Sequence, residues 1–286
     1  MDDRLLIETD ALAQRLGDPT LRIFDCTVRI EIGPDGVRFE SGRAAWATAH
    51  VPGAGFLDLL GELAAPHASF RFMLPSAEQL AAAMSAHGVG DGTQVVLYDA
   101  DNSSWAARVW WMLHAYGFDD AVVLNGGWKK WAFEGRPVSS EPPAFPPADF
   151  VPRPRPGVFV GKEEVLAGIG DGATCLINGL PAPLHRGEGP ELPGRRRGRI
   201  PTSGNVPASD LVDPETQAYL PEDRLRALLA NQGALNADRV ITYCGGGIAA
   251  SGVAFALRLL GHENVAVYDA SLEEWASDPS LPIETG

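Results

Sequence analysis

The 286-residue sequence is short of cysteine, of positive charge and of long apolar runs. Its three cysteines, Cys26, Cys175 and Cys244, are far apart and odd in number. Such a set excludes a closed disulfide framework and fits a reducing compartment, so the expected location is cytoplasmic. No Cys/His spacing has the form of a metal site, and neither a metal nor another cofactor is expected. Lysine and arginine number 23 against 37 aspartates and glutamates, a net charge of −14. That balance excludes nucleic acid or an anionic membrane surface as the main partner, because both demand a basic face. No stretch approaches the ~20 apolar residues of a membrane span. The opening Met1-Asp2-Asp3-Arg4-Leu5-Leu6 has no apolar signal core.

What is present is a duplicated pattern of short apolar strands and helices. Residues 5–17 have the period of an amphipathic helix, and Leu21-Arg22-Ile23-Phe24-Asp25-Cys26 reads as a buried strand. Pro52, Gly53 and Gly55 then mark turns before a short extended segment ending near Asp58. Residues 76–87 predict a helix with Ser76 as N-cap and Gly88 as stop. Val95-Val96-Leu97-Tyr98 is a strand, residues 99–104 a polar loop, residues 105–116 a helix stopped by Gly117, and residues 121–124 a strand. Asn125-Gly126-Gly127-Trp128 opens one more short helix.

The second half repeats the plan. Cys175-Leu176-Ile177-Asn178 matches the strand at residues 23–25, Gly198-Arg199-Ile200-Pro201 matches residues 49–52, and Val240-Ile241-Thr242-Tyr243 matches residues 95–98. Alternation of this kind implies an α/β fold, with a mostly parallel sheet covered by helices on both faces in each copy. The expected division is an N-terminal domain over 1–140, a linker over 141–157 made stiff by its prolines, and a C-terminal domain over 158–286.

The candidate site is Tyr243-Cys244-Gly245-Gly246-Gly247-Ile248-Ala249, where a β-branched strand ends, a glycine loop follows and a helix begins. Glycines open backbone conformations closed to other residues and leave several N–H groups free to converge on the Cys244 sulfur. The positive end of the next helix points at the same place, which favours a thiolate, and a thiolate is a nucleophile. Cys26 and Cys175 lie at or beside buried strands and are expected to be core residues. Aligning the copies at Tyr98 and Tyr243 puts Asp99 where Cys244 stands, and a carboxylate cannot carry sulfur.

Residues 244–249 resemble the active-site loop of the rhodanese (sulfurtransferase) family. The Cys-Gly-x-Gly form is more similar to its mercaptopyruvate branch than to its thiosulfate branch, whose loop carries Arg and Lys. Further landmarks are His50-Val51-Pro52-Gly53-Ala54, Arg108-Val109-Trp110-Trp111-Met112, Gly126-Gly127-Trp128, and Tyr268-Asp269 with Trp275. The resemblance covers nearly the whole chain and implies two tandem rhodanese-like domains, the first catalytically silent. It implies a persulfide on Cys244, formed from thiosulfate or 3-mercaptopyruvate and discharged to cyanide or a thiol, with Gly245, Gly246, Gly247, Ile248 and Ala249 as the binding loop. A small anionic donor needs a cation, and Arg186, in His185-Arg186-Gly187, and Arg195 are the candidates. Mercaptopyruvate enzymes carry a serine at the position of Gly246, a threonine at Ala249 and a histidine where this chain has Phe72. A Ser-His-Asp relay would therefore lack two members, Asp58 alone remaining.

Two other readings use the same loop. A phosphatase-like enzyme requires an arginine six residues after the cysteine to clamp phosphate, and that residue is Ala250. A low-turnover persulfide relay, or a regulatory module delivering sulfur to a protein acceptor, would share this sequence.

Overall fold

A computed structural model describes residues 1–2, 4–33, 36–189 and 194–286. The first half runs β1 (Leu6–Ile7), α1 (Thr9–Gln14), β2 (Leu21–Asp25), β3 (Val28–Gly33), β4 (Gly36–Ser41), α2 (Arg43–Thr48), β5 (Ala54–Phe56), α3 (Ala77–Ala86), β6 (Gln94–Tyr98), α4 (Ser104–Ala115), β7 (Ala121–Leu124) and α5 (Gly127–Phe133). The second runs β8 (Phe159–Val160), α6 (Lys162–Gly168), β9 (Thr174–Asn178), α7 (Ala182–His185), β10 (Gly204–Asn205), α8 (Glu222–Ala230), β11 (Arg239–Tyr243), α9 (Ile248–Leu259), β12 (Val265–Tyr268) and α10 (Ser271–Trp275).

Each half is built on a five-stranded sheet, ordered β1-β7-β6-β2-β5 in the first and β8-β12-β11-β9-β10 in the second. Every pairing within the two sheets is parallel. Both orders are the same once the strands are matched, so the sequence repeat is a structural repeat. The central strands β6 and β11 are apolar on both sides because helices cover both faces, and four of the five residues in each are buried.

Three segments depart from the sequence expectation. Residues 5–17 are not one helix. Leu6 and Ile7 pair with Val123 and Leu124 as an edge strand, and only Thr9–Gln14 is helical. Between Cys26 and Ala49 stands an antiparallel hairpin, with Val28 opposite Ser41 and Ile30 opposite Phe39. The alternation Val28-Arg29-Ile30-Glu31-Ile32 carries its signal. Residues 141–157 are not a free spacer. The segment is strapped to the first domain, Phe145 packing edge-on against Phe24 at 5.7 Å and Arg153 N–H bonding Tyr116 O at 2.7 Å.

The two units meet through α4 and α9, the helices that follow the two equivalent loops. Trp110 meets Phe255 edge-on at 5.1 Å, and Trp111 Nε1 donates to Ser251 O at 3.2 Å. The helices approach closely at Gly252, where a Cβ would stand 2.8 Å from Ser104 Oγ. The N-termini of both helices, and hence both loops, are thereby held at the interface.

Candidate active site at the Cys244 loop

Strand β11 delivers Cys244 to the C-terminal edge of its sheet, where open parallel sheets place their ligands. The residue is 2% exposed. Its N–H donates to Ser271 Oγ at 3.1 Å, and that hydroxyl donates to Tyr268 O at 2.7 Å. Cys244 O accepts from Leu272 N–H at 3.0 Å and Gly245 O from Glu273 N–H at 2.9 Å. Both carbonyls thus face α10. In a trans peptide the N–H opposes the C=O, so the amides of Gly245 and Gly246 face the other way.

The three glycines are not equivalent. Only Gly247 has a positive φ, +81°, as the N-cap of α9. A Cβ there would meet Asp269 O at 2.7 Å and Arg108 Nη1 at 3.1 Å. Gly245 has open space around a Cβ, and Gly246 has only ordinary contacts. The expectation that the triplet supplies conformations forbidden to other residues therefore holds at Gly247 alone.

The equivalent loop of the first domain shows what this frame does with an anion. Asp99 is 1% exposed and its carboxylate accepts four backbone N–H bonds. Oδ1 takes those of Asp101 and Ser103 at 2.9 and 3.1 Å, and Oδ2 those of Trp105 and Ala106 at 3.0 and 2.9 Å. The corresponding positions by helix numbering are Gly245, Gly247, Ala249 and Ala250. Asp99 O accepts from Trp128 N–H at 2.9 Å, as Cys244 O does from Leu272. Burial pushes the Asp99 carboxyl up to about 6 despite these donors. Of the four positions, Ala250 is the one absent from the sequence expectation. It is the third residue of α9, whose N–H no helix carbonyl can reach.

Residues 71–74 of the first domain close the mouth. Phe72, held at φ 59°, lays its ring against the loop, with Cδ2 3.8 Å from a Cβ placed on Gly246. The position of the relay histidine is thus filled by an apolar ring. Asp58 is spent on its own turn, Oδ1 accepting Leu60 N–H at 2.9 Å. Arg108, fully buried, reaches across the interface from α4. Its Nη2 donates to Phe72 O and to Asp269 Oδ1, while Asp269 Oδ2 accepts Leu74 N–H at 2.9 Å.

Of the two expected arginines, one lies at the mouth. Arg195 Nη2 donates to Glu273 Oε1, and Arg71 Nε donates to the same oxygen at 3.1 Å. Arg186 forms an exposed ion pair with Glu188 at 2.7 Å, its carbonyl accepting Gly286 N–H at 3.0 Å. Arg71 and Glu273 escape sequence reading because they are 202 residues apart and meet only across the interface. A charge between two aromatics, Phe70-Arg71-Phe72, was the available signal.

Neither other cysteine touches the site. Cys26 is in the core, its N–H bonded to Tyr98 O at 2.8 Å, and burial pushes its thiol well up. Cys175 Sγ donates to Gln232 O at 3.3 Å and is also pushed up by burial. Cys175→Ser is expected to keep sulfur-transfer activity within about twofold, since a serine hydroxyl can make the same bond at a partly exposed position. Cys26→Ser is expected to keep activity while losing about 1–3 kcal/mol of stability, read by thermal melting, because it buries a hydroxyl in an apolar core. Loss of transfer in either folded variant would overturn the expectation that Cys244 alone carries sulfur.

The rhodanese-like domain family matches residues 8–134 and 190–278. The chain belongs to the rhodanese family. As a rhodanese it is 31% identical to a probable 3-mercaptopyruvate sulfurtransferase of Pseudomonas aeruginosa, over the full length of both chains. It is 34% identical to the thiosulfate sulfurtransferase of Mus musculus, over 95% of this chain and 92% of that one. Its fold matches the crystal structure of an Escherichia coli 3-mercaptopyruvate sulfotransferase with a TM-score of 0.82 at 29% identity, over 93% of this rhodanese and 98% of the other. Among the described residues no helix is long and apolar enough to cross a membrane, and no cluster of His, Cys, Asp and Glu could hold a metal.

Proposed function

We propose that this rhodanese is a sulfurtransferase that carries sulfane sulfur as a persulfide on Cys244. The observation that carries the reading is the Asp99 carboxylate. In the first domain the loop-and-helix frame wraps an anion in four N–H bonds, and in the second a strand, a loop one residue shorter and a helix of the same length put Cys244 at the position of Asp99. A terminal persulfide sulfur is an anion of that kind, held by donors that need no reorganisation as it arrives.

With thiosulfate, the Cys244 thiolate attacks the outer sulfur. The S–S bond to the sulfonate breaks and sulfite leaves with the electron pair. With 3-mercaptopyruvate the C–S bond breaks, the pair leaves on the pyruvate enolate, and the donor's own thiol proton balances that enolate. Cyanide or a thiol then takes the outer sulfur and returns the thiolate. Gly245 to Ala249 form the binding loop, Arg195, paired with Glu273, holds the donor's anionic end, and Arg186, paired with Glu188, is the second candidate cation. The first domain, residues 1–140, is catalytically silent and serves as the wall of the cleft. The strap over 141–157 joins it to the catalytic domain, 158–286. Three unpaired thiols suit the cytoplasm as the place of work.

The test is intact-protein mass spectrometry after incubation with thiosulfate and, separately, 3-mercaptopyruvate. A gain of about 32 Da that cyanide removes is the expected result. The donor that loads faster names the branch, and absence of the adduct from both donors would overturn the reading.

A further inference from the structure

Glu273 faces the loop that carries Cys244. It lies on α10, 6% exposed, with its carboxylate turned into the mouth of the loop. Oε2 would be 3.5 Å from a Cβ on Gly246, two residues from the nucleophile, and it accepts the Arg71 backbone N–H at 3.1 Å. Oε1 accepts Arg71 Nε at 3.1 Å, lies 3.0 Å from Arg71 Nη2, and accepts Arg195 Nη2. One carboxylate thus gathers two guanidinium groups, one from each domain, in the geometry by which arginines clamp a carboxylate or sulfonate.

We infer that Glu273 is an internal competitor for the anion subsite and thereby sets the donor affinity of this enzyme. The inference rests on the sulfurtransferase reading above. The donor's carboxylate or sulfonate takes Arg195 and Arg71 only by displacing Glu273, so part of the binding free energy goes to breaking an existing pair. Until a donor arrives, Glu273 keeps both arginines paired. The arrangement penalises anionic donors that cannot engage both guanidinium groups. It also sets a negative charge against the loop at Gly246, which disfavours donors of high charge density.

Glu273→Gln keeps the shape and removes the charge. Its expected effect is a fall of about tenfold in KM for both thiosulfate and 3-mercaptopyruvate with cyanide as acceptor, tenfold being the scale of one partly desolvated charge pair. The expected kcat stays within about threefold, since the carboxylate takes no part in the sulfur step. Glu273→Asp keeps the charge and is expected to return KM toward the wild-type value. An unchanged or raised KM in Glu273→Gln overturns the inference, as does a Glu273→Asp variant that behaves like the glutamine one. If Glu273→Gln does not fold, as judged by its melting curve, Glu273→Ala gives the same reading of KM. Failure of the underlying function is distinguishable: wild-type protein would then gain no sulfur from either donor.

Discussion

Cys244→Ser is expected to reduce thiocyanate formation from thiosulfate and cyanide to the uncatalysed background, a loss of at least about four orders of magnitude in kcat. The same variant is expected to gain no mass from either donor. The cause is elemental. A serine oxygen is a weak nucleophile at neutral pH and cannot hold sulfur in a persulfide, while the loop's N–H donors remain in place with nothing to stabilise. The fold should be indifferent. The replacement is slightly smaller, the bond to Ser271 Oγ uses only the backbone N–H of residue 244, and the frame is set by Gly247 and the carbonyl contacts to α10. Thermal melting within a few degrees of wild type, measured beside the activity, separates chemistry from misfolding. Residual transfer above about 1% would mean that another thiol accepts sulfur, and peptide mapping would then point to Cys175, the more exposed of the other two.

The parts legible from sequence are those where one segment carries its own reason. Val240 to Tyr243 is β-branched and apolar, Gly247 and Gly261 bracket α9 with positive φ, and the match of this pattern to residues 95–117 revealed the duplication. Asp99 could be placed opposite Cys244 by alignment, but only coordinates show that its carboxylate is already seated among N–H groups. Local signals misled at residues 5–17, where the apolar period was genuine but Leu6 and Ile7 gain more by pairing with β7 than by extending a helix. At Arg186 the structure adds a pair with the neighbouring Glu188 that the sequence reading did not foresee. The Glu273 clamp was beyond sequence reading for a different reason. Ser271-Leu272-Glu273-Glu274-Trp275 has the look of a solvated helix edge, and it becomes the wall of an active site only because Arg71 arrives from the other domain.

Gly247→Ala is expected to lower kcat/KM by about a hundredfold or more, the cost of misplacing donors aimed at a developing anion. It should also lower the melting temperature by several degrees. At φ +81° a Cβ costs about 1–2 kcal/mol from conformation alone. A Cβ in that position would stand 2.7 Å from Asp269 O, a backbone atom that cannot rotate away, and 3.1 Å from Arg108 Nη1. The residue must therefore turn toward negative φ, and since it is the N-cap of α9, the turn redirects the first amides of the helix along with its own. Asp269 moves next, and with it the Arg108 pair that ties the two domains together behind the loop. Gly245→Ala is the contrast within the same triplet. Its added methyl meets nothing within 4 Å and its φ is not positive, so stability should stay within about 0.5 kcal/mol and kcat/KM within about threefold. Equal losses in the two variants would show that the loop tolerates no side chain for reasons of access rather than backbone geometry. A fully active Gly247→Ala would show that Cys244 does not depend on the N–H frame that Asp99 displays in the first domain.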